Sequence, residues 1–500
     1  MRMETVGKKR AEPPFVLALD VGSSGTRGRL FDARGRTLKR CEVRIRHQAT
    51  SKPDGTVVGD AEAVLNEAIQ IIDGLLKAAG RHAEQIAAVA CDTYASSLVG
   101  VDARGRPLTP VFTYADARPA PQVAQLQREL DEDAVQQRTG CRFHASYLPA
   151  RFRWLQATEP QTLASAAYWL SLGEFVYVHL LGKRAASFST AAWTGLLNRH
   201  ELDWDAELLA ALPVKADQLS SLRDTGEPLQ GLRQKFARRW PQLKQAKWFP
   251  AIADGYASNI GSDATDLQSY ALSLGTSGAV RVLLEGTPDV VPHGLWCYRV
   301  NRRQSLLGGA LNDGGRAVAW LRGLLKLPPV DGLRPVITAP PAMDTPVVLP
   351  FLTGERSPGW AGHATASFTN MDLHTDPAAL FRGLLEGIAL RLGLIADEVR
   401  RLAPDVARVV VSGGAAEDLP EWLGILADVI GAPMVASLEG QTTLRGTAVT
   451  ALEVVAPKAE RVPAAIGDTF SPNAEHRAAY DAARERQISA YDALIAAPPA

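Results

Sequence analysis

The chain has 500 residues, 46% of them hydrophobic and 22% charged, with Lys+Arg and Asp+Glu balanced at 54 each. That length exceeds what one hydrophobic core usually supports, so two large domains are expected. A net charge of zero argues against nucleic acid or an anionic membrane as the main partner.

Residues 15–47 alternate apolar runs with turns, predicting strands at Phe15–Asp20, Gly28–Asp32 and Thr37–Ile45. From Asp60 to Ala79 the apolar residues Val64, Ile71, Leu75 and Leu76 recur at helical spacing. Ile86–Cys91 then reads as a buried strand, and Ser97–Val101 with its Asp102-Ala103-Arg104-Gly105 turn as a hairpin. The resulting βββαβ order points to an α/β fold. Gly226 to Phe249 is polar and basic with no clear period. The pattern then repeats: strands at Tyr270–Leu274, Ala279–Leu283 and Leu295–Val300, helices at Ala317–Leu325 and Pro377–Leu402. A strand at Val409–Ser412 and a helix at Leu419–Ile430 follow, while the Pro-rich Leu327–Pro341 reads as a loop or linker. The tail Ala474–Ala497 looks helical, and two domains of about 1–258 and 259–500 are expected.

Within these halves the chain makes a glycine-rich turn twice. Leu17-Ala18-Leu19-Asp20-Val21-Gly22-Ser23-Ser24-Gly25-Thr26 and Leu272-Ser273-Leu274-Gly275-Thr276-Ser277-Gly278 each break an apolar strand into a glycine and hydroxyl turn. Such a turn presents backbone N–H groups and hydroxyls to an anion. Gly25 and Gly275 would allow close approach, and Thr26 and Thr276 would donate to phosphate oxygens. Asp20 would repel a phosphate unless Mg²⁺ lay between them, or it fixes the turn by an Asx bond. Two such turns suggest one nucleotide clamped between two halves.

Other segments carry two readings each. Asp254, in Ala253-Asp254-Gly255-Tyr256, is an acid among small and apolar residues: a desolvated general base, or a helix cap. Gly413-Gly414-Ala415 suits a flat ligand such as adenine or a tight strand-to-helix turn. Gly308 to Gly315, with Gly309 and Asn312, is a ligand-facing loop or the start of a helix. Asp116 and Arg118 would bind a polyol or pair with each other, and Gly354-Glu355-Arg356-Ser357-Pro358 has the same ambiguity. His144 reads as structural.

Met1 to Pro14 is charged without an apolar h-region, and no stretch is long and apolar enough to span a bilayer. Cys41, Cys91, Cys141 and Cys297 are scattered without a CxxC pair, which argues against a disulfide framework or a zinc site. A cytoplasmic protein without a membrane partner is expected, and a homodimer stays open.

With these residues in place, the sequence resembles the FGGY family of carbohydrate kinases almost end to end. Asp20–Thr26 and Gly275–Gly278 look like its two phosphate segments, and Tyr114–Arg118 resembles its W-x-D-x-R sugar segment. Gly354–Pro358 resembles G-E-R-x-P, Gly413–Ala415 the adenosine segment, and Asp254 stands where the family keeps its catalytic aspartate. Thr139-Gly140-Cys141-Arg142-Phe143-His144-Ala145-Ser146-Tyr147 is similar to a stretch of gluconokinase-type members. Those members tend to carry Met-His where Tyr94-Ala95-Ser96-Ser97 stands, and Lys-Glu-Tyr where Gly173-Glu174-Phe175 stands. The resemblance implies two actin-like (ribonuclease H-like) domains around a cleft, and phosphorylation of a small sugar, polyol or sugar acid (gluconate-like or a pentulose) by Mg²⁺-ATP. It further implies Asp254 as base, Asp20 as the metal-bridging acid, and Gly25, Thr26, Gly275, Thr276, Gly309, Asn312, Gly413, Gly414 and Ala415 around ATP. Tyr94, Ala95, Asp116, Arg118 and Asp254 would face the substrate. The rival from another class is a non-catalytic ATP-binding switch or a sugar-sensing regulator, neither of which needs a base facing an alcohol.

Overall fold

Two seven-stranded sheets organise the chain, in a computed structural model that describes residues 5–496. The first runs in the order Thr5–Val6, Thr37–Arg46, Gly25–Phe31, Phe15–Gly22, Ile86–Thr93 and Lys247–Trp248, and Ile252–Ala253 also pairs with Ile86–Thr93. The second runs Trp296–Arg299, Gln304–Leu311, Gly278–Glu285, Ser269–Leu274, Arg408–Ser412, Met434–Ser437 and Ile466–Phe470. Both contain the same unit. A hairpin forms, and its first strand then pairs parallel with a strand that returns after a helix.

Local chemistry explains the elements that the sequence predicts. Phe15–Gly22 is buried along nearly its whole length, so it reads as an unbroken apolar run rather than an alternating one. The helix Ala61–Ala79 starts at Asp60, whose carboxylate accepts from the N–H groups of Glu62 and Ala63, and stops at Gly80. Its buried face includes Val64, Ile71, Ile72 and Leu75, and it lies so close to the hairpin that a Cβ on Gly28 would sit 2.6 Å from Ile71. The long helix Pro377–Arg400 starts at Asp376 with proline in its first turn.

Three expectations need correction. Leu327–Pro341 contains a helix, Val330–Thr338, despite Pro335 inside it. Leu333 and Ile337 are buried in the core of the second lobe, and Arg382 Nη1 donates to the carbonyls of Val336, Ile337 and Ala339 at 2.8, 2.6 and 3.1 Å. Tertiary contacts therefore supply what proline removes. The featureless Gly226–Phe249 holds a short helix, Gln234–Arg239, and the edge strand Lys247–Trp248. Gly308 and Gly309 lie inside the strand Gln304–Leu311, not in a loop: Trp296 covers the first, and Ile395 and Ser357 cover the second.

The tail forms the helix Arg477–Tyr491, which buries Tyr480 and Gln487; Gln487 Nε2 donates to the carbonyls of Val348 and Gly387. The predicted end at Ala497 lies outside the described residues. Among the described residues, no helix is long and apolar enough to cross a membrane.

The lobes meet through two helices. Asp254–Gly261 follows the first sheet, and Thr442–Val455, late in the chain, packs against it and against the strands Phe15–Gly22 and Ile86–Thr93. The crossing has no room for side chains at its centre. A Cβ on Gly446 would lie 1.8 Å from the carbonyl oxygen of Ala257, and one on Gly261 1.7 Å from that of Thr442. Gly446→Ala should therefore force the helices apart and destabilise the protein by about 1–3 kcal/mol or more. Urea denaturation checks this, and an unchanged midpoint would refute the close crossing.

Candidate active site

The second glycine turn opens onto a groove of about 650 Å³ lined by Gly275, Thr276, Arg316, Trp320, Gly414 and Ala415, among others. A Cβ on Gly275 or Gly414 would meet nothing within 4 Å, so the backbone of both faces open space. Gly413 has φ +111°, and a Cβ there would sit 2.5 Å from the carbonyl oxygen of Leu274, so only glycine fits this corner. The turn is braced from behind. The N–H groups of Gly314, Gly315 and Arg316 donate to the carbonyls of Thr276, Gly275 and Thr276 at 3.0, 2.8 and 3.1 Å. Four predicted nucleotide residues, Gly275, Thr276, Gly414 and Ala415, thus share one groove of a size suited to a small ligand.

Asn312 and Gly309 do not line it. Asn312 Nδ2 donates to the carbonyls of Thr353 and Gly354 at 2.9 and 3.2 Å, so its amide anchors that loop. Gly309 is packed inside its strand.

In the first lobe, Asp20 Oδ2 accepts from Arg27 Nε at 2.6 Å and from Thr443 Oγ1, on the crossing helix, at 3.0 Å. Its Oδ1 faces the turn, 3.4 Å from where a Cβ on Gly22 would stand. The hydroxyl of Thr26 points elsewhere. It is buried and donates to Glu67 Oε2 at 2.7 Å, and His47 Nδ1 lies 2.8 Å from the same oxygen. The expectation that this hydroxyl donates to phosphate is corrected accordingly.

Sequence reasoning missed Asp92. It ends the strand Ile86–Thr93 directly beside Asp20 in parallel register. Its Oδ2 accepts from Thr447 Oγ1 at 2.7 Å, its Oδ1 is buried without a partner, and burial followed by Asp20 pushes its proton affinity up. The signal was an acid at the C-terminal end of an apolar strand. Its significance depends on a register that only the folded sheet sets.

Asp254 stands at the first position of its helix, and Gly255 N donates to its Oδ1 at 2.8 Å. The helix-cap reading is corrected: Ala253 occupies the cap position, and the Asp254 side chain makes no capping bond. Burial, then the charge of Asp20, pushes its carboxyl up to about 6, opposed by Arg281 and by the N–H groups of Gly255 and Ala95. Ala95 thereby meets the Asp254 carboxyl through its backbone. Tyr94 is buried with its ring edge-on to Tyr114. Trp193 covers Gly255 and stacks on Tyr298 with ring centroids 3.9 Å apart.

The Asp116 and Arg118 pair is used internally. Arg118 holds Asp116 through two bonds, of 2.9 and 2.7 Å, and the buried Arg151 adds a third at 3.1 Å. Asp116 is fully buried and has no oxygen left without a cation, while Arg118 lies over the ring of Trp154. Glu355 is likewise spent on Arg391 and the Tyr491 hydroxyl. His144 packs between Tyr147 and Trp360, and burial lowers its pKa to about 3, so it is a neutral structural residue.

Comparison with known proteins gives the family and the fold. Residues 15–261 match the N-terminal domain, and residues 270–453 the C-terminal domain, of the FGGY family of carbohydrate kinases. A gluconokinase of Bacillus subtilis (strain 168) is 24% identical over 452 residues, covering 88% of this chain and 87% of the relative. A xylulose kinase of Lactococcus lactis is 22% identical over 439 residues, covering 84% of each. Among solved structures, a gluconate kinase from Lactobacillus acidophilus superposes with a TM-score of 0.88 at 24% identity, covering 96% of this chain and 98% of that one. A ligand-bound xylulose kinase from the same organism gives a TM-score of 0.89 at 24% identity over the same shares. The chain belongs to the FGGY family of carbohydrate kinases, and its two actin-like lobes carry a phosphotransferase of that family.

Proposed function

We propose that the protein transfers the terminal phosphoryl group of Mg²⁺-ATP to a hydroxyl of a small sugar, polyol or sugar acid, with Asp254 as the general base. The observation that carries this reading is the placement of Asp254 directly after the strand Ile252–Ala253, beside the strand ends that carry Asp92 and Asp20, where burial and the charge of Asp20 raise its proton affinity. A carboxylate with a pKa of about 6 is ionised at neutral pH, yet basic enough to draw a proton from an alcohol. As the acceptor oxygen bonds to the terminal phosphorus, its proton passes to Asp254. The bond between that phosphorus and the bridging oxygen breaks, and ADP leaves with the electron pair.

Residues 1–258 would supply the base and most of the substrate wall, and 259–500 the nucleotide groove. In that groove Gly275 and Thr276 would meet phosphate, and Gly413, Gly414 and Ala415 the adenosine. Among the described residues no cluster of three or more His, Cys, Asp or Glu forms a metal cage. Mg²⁺ fits as an ion carried by the nucleotide, facing the Oδ1 of Asp20, where it would neutralise phosphate charge. A conformational switch or sensor has no use for a base beside an alcohol site, so the kinase reading is favoured. ATP as substrate and the lack of a membrane-crossing helix among the described residues support a cytoplasmic location.

ADP release measured with ATP and a panel of sugars, polyols and sugar acids tests the proposal. At least one acceptor should be turned over well above the rate of ATP hydrolysis. Closure offers a second measurement. Each lobe holds one phosphate turn, and narrowing the cleft would exclude water that otherwise hydrolyses ATP. The radius of gyration from small-angle scattering should fall when acceptor and a non-hydrolysable ATP analogue are both bound. An unchanged profile at saturation means a rigid, permanently formed site.

A further inference from the structure

The first glycine turn is tied down at three consecutive residues. The carbonyl of Ser24 accepts from the backbone N–H of His47 at 3.3 Å. Gly25 pairs with Arg46, and a Cβ on it would sit 2.6 Å from the carbonyl oxygen of Ile45. Thr26 Oγ1 donates at 2.7 Å to Glu67 Oε2, from the helix Ala61–Ala79. His47 joins the two ends, because its Nδ1 lies 2.8 Å from the same carboxylate oxygen. An ionised carboxylate only accepts, so hydroxyl and imidazole both donate to it. The bonds close a ring that runs from Ser24 through Thr26, Glu67 and His47 back to Ser24.

The ring is buried below and open above. Thr26 is fully buried and Glu67 nearly so, and among the described residues the one ion-pair partner of Glu67 is His47. Ser24 is exposed and Ser23 half-buried, and among the described residues neither serine side chain has a hydrogen-bond partner. A buried carboxylate without lysine or arginine is a costly way to fasten a helix to a sheet. Ile71 and Leu75 already do that, by packing where a Cβ on Gly28 would stand. What the ring adds is a fixed position for the turn.

We propose that Glu67 and His47 are positioning residues that hold the first-lobe turn, with its free serine hydroxyls, in register with the transferring phosphoryl group. This rests on reading that turn as a phosphate turn of the phosphotransfer. Neither side chain touches the nucleotide; both act through Ser24 and Thr26. The nucleotide groove is lined by the other lobe, so the first turn meets the phosphoryl group only as the cleft narrows. Contacts made at that stage count in the transition state more than in the binding of ATP. A turn misplaced by about 1 Å slows transfer by about 100-fold.

The test measures the single-turnover rate of phosphoryl transfer at saturating ATP and acceptor, with ATP affinity by calorimetry and folding by thermal melting. Thr26→Val keeps the shape and removes the hydroxyl. It should slow transfer by about 10- to 100-fold, with ATP affinity changed by less than about threefold. Glu67→Ala should do the same, and Glu67→Gln, whose amide oxygen still accepts, should recover most of the rate. Because the residues act as one ring, the double variant Thr26→Val, Glu67→Ala should be no slower than the worse single variant. If Glu67→Ala does not fold, His47→Leu replaces it, with His47→Asn as the conservative variant that keeps a donor near Nδ1. A purely structural tie would lower the melting temperature and leave the transfer rate of the folded protein unchanged, which overturns the proposal. Additive losses in the double variant, or a loss of ATP affinity as large as the loss of rate, overturn it equally. Failure of the underlying reading looks different: the wild type then turns over no acceptor above ATP hydrolysis, or Asp20→Ala transfers phosphoryl at the normal rate.

Discussion

Asp254→Asn should lower turnover by about two to four orders of magnitude while leaving ATP binding intact. The amide is close in shape to the carboxylate and still accepts from the N–H of Gly255, but it cannot take a proton. Two further consequences separate a base from a merely structural acid. In the wild type, kcat/KM should fall as the pH drops through about 6, because protonation removes the base; the variant should lack that limb. Stability should move the other way. A carboxyl whose folded pKa of about 6 lies above the ordinary aspartate value binds its proton more tightly when folded. The wild type therefore loses stability as the pH rises through that window, and the neutral amide avoids the loss. At pH 7 the variant should be roughly 2–3 kcal/mol more stable. A higher melting temperature with collapsed turnover is the expected pair of results. Near-normal turnover would refute the assignment.

Asp20→Ala should abolish measurable activity, with added Mg²⁺ restoring it only in part. Two effects combine. The carboxylate oxygen facing the turn is lost, and with it the site offered to the nucleotide's metal. Arg27 and Thr443 also lose their shared acceptor, so the first lobe's turn loosens from the crossing helix. Asp20→Asn separates these, since its carbonyl oxygen still accepts from Thr443 while its charge is gone. It should retain most of the stability lost in Asp20→Ala and little of the activity. Turnover independent of divalent metal would overturn this account.

The residues around the groove were legible because their chemistry is local. Gly275-Thr276-Ser277-Gly278 and Gly413-Gly414-Ala415 are turns that a short stretch of sequence specifies, and the fold brings them to one groove. The hydroxyl of Thr26 and the amide of Asn312 read equally well but face Glu67 and the Thr353–Gly354 carbonyls. Side-chain direction depends on neighbours distant in sequence, and no turn motif records them. Asp116 and Arg118 left two readings open. Arg151 completes the internal one from the helix Leu148–Thr158.

The sequence by itself determined the doubled hairpin-and-helix unit, the positions of both glycine turns, and an acid at the head of the Asp254–Gly261 helix. Each follows from hydrophobic period, glycine turns or the identity of a single residue, all of them local. Only the tertiary structure decided that Asp92 stands beside Asp20, that Thr443 and Thr447 reach both acids from the crossing helix, and that Arg281 comes up to Asp254. Those neighbours lie hundreds of residues apart or on different strands. Their meeting is set by strand register and by a helix crossing at Gly261 and Gly446 that only glycine permits.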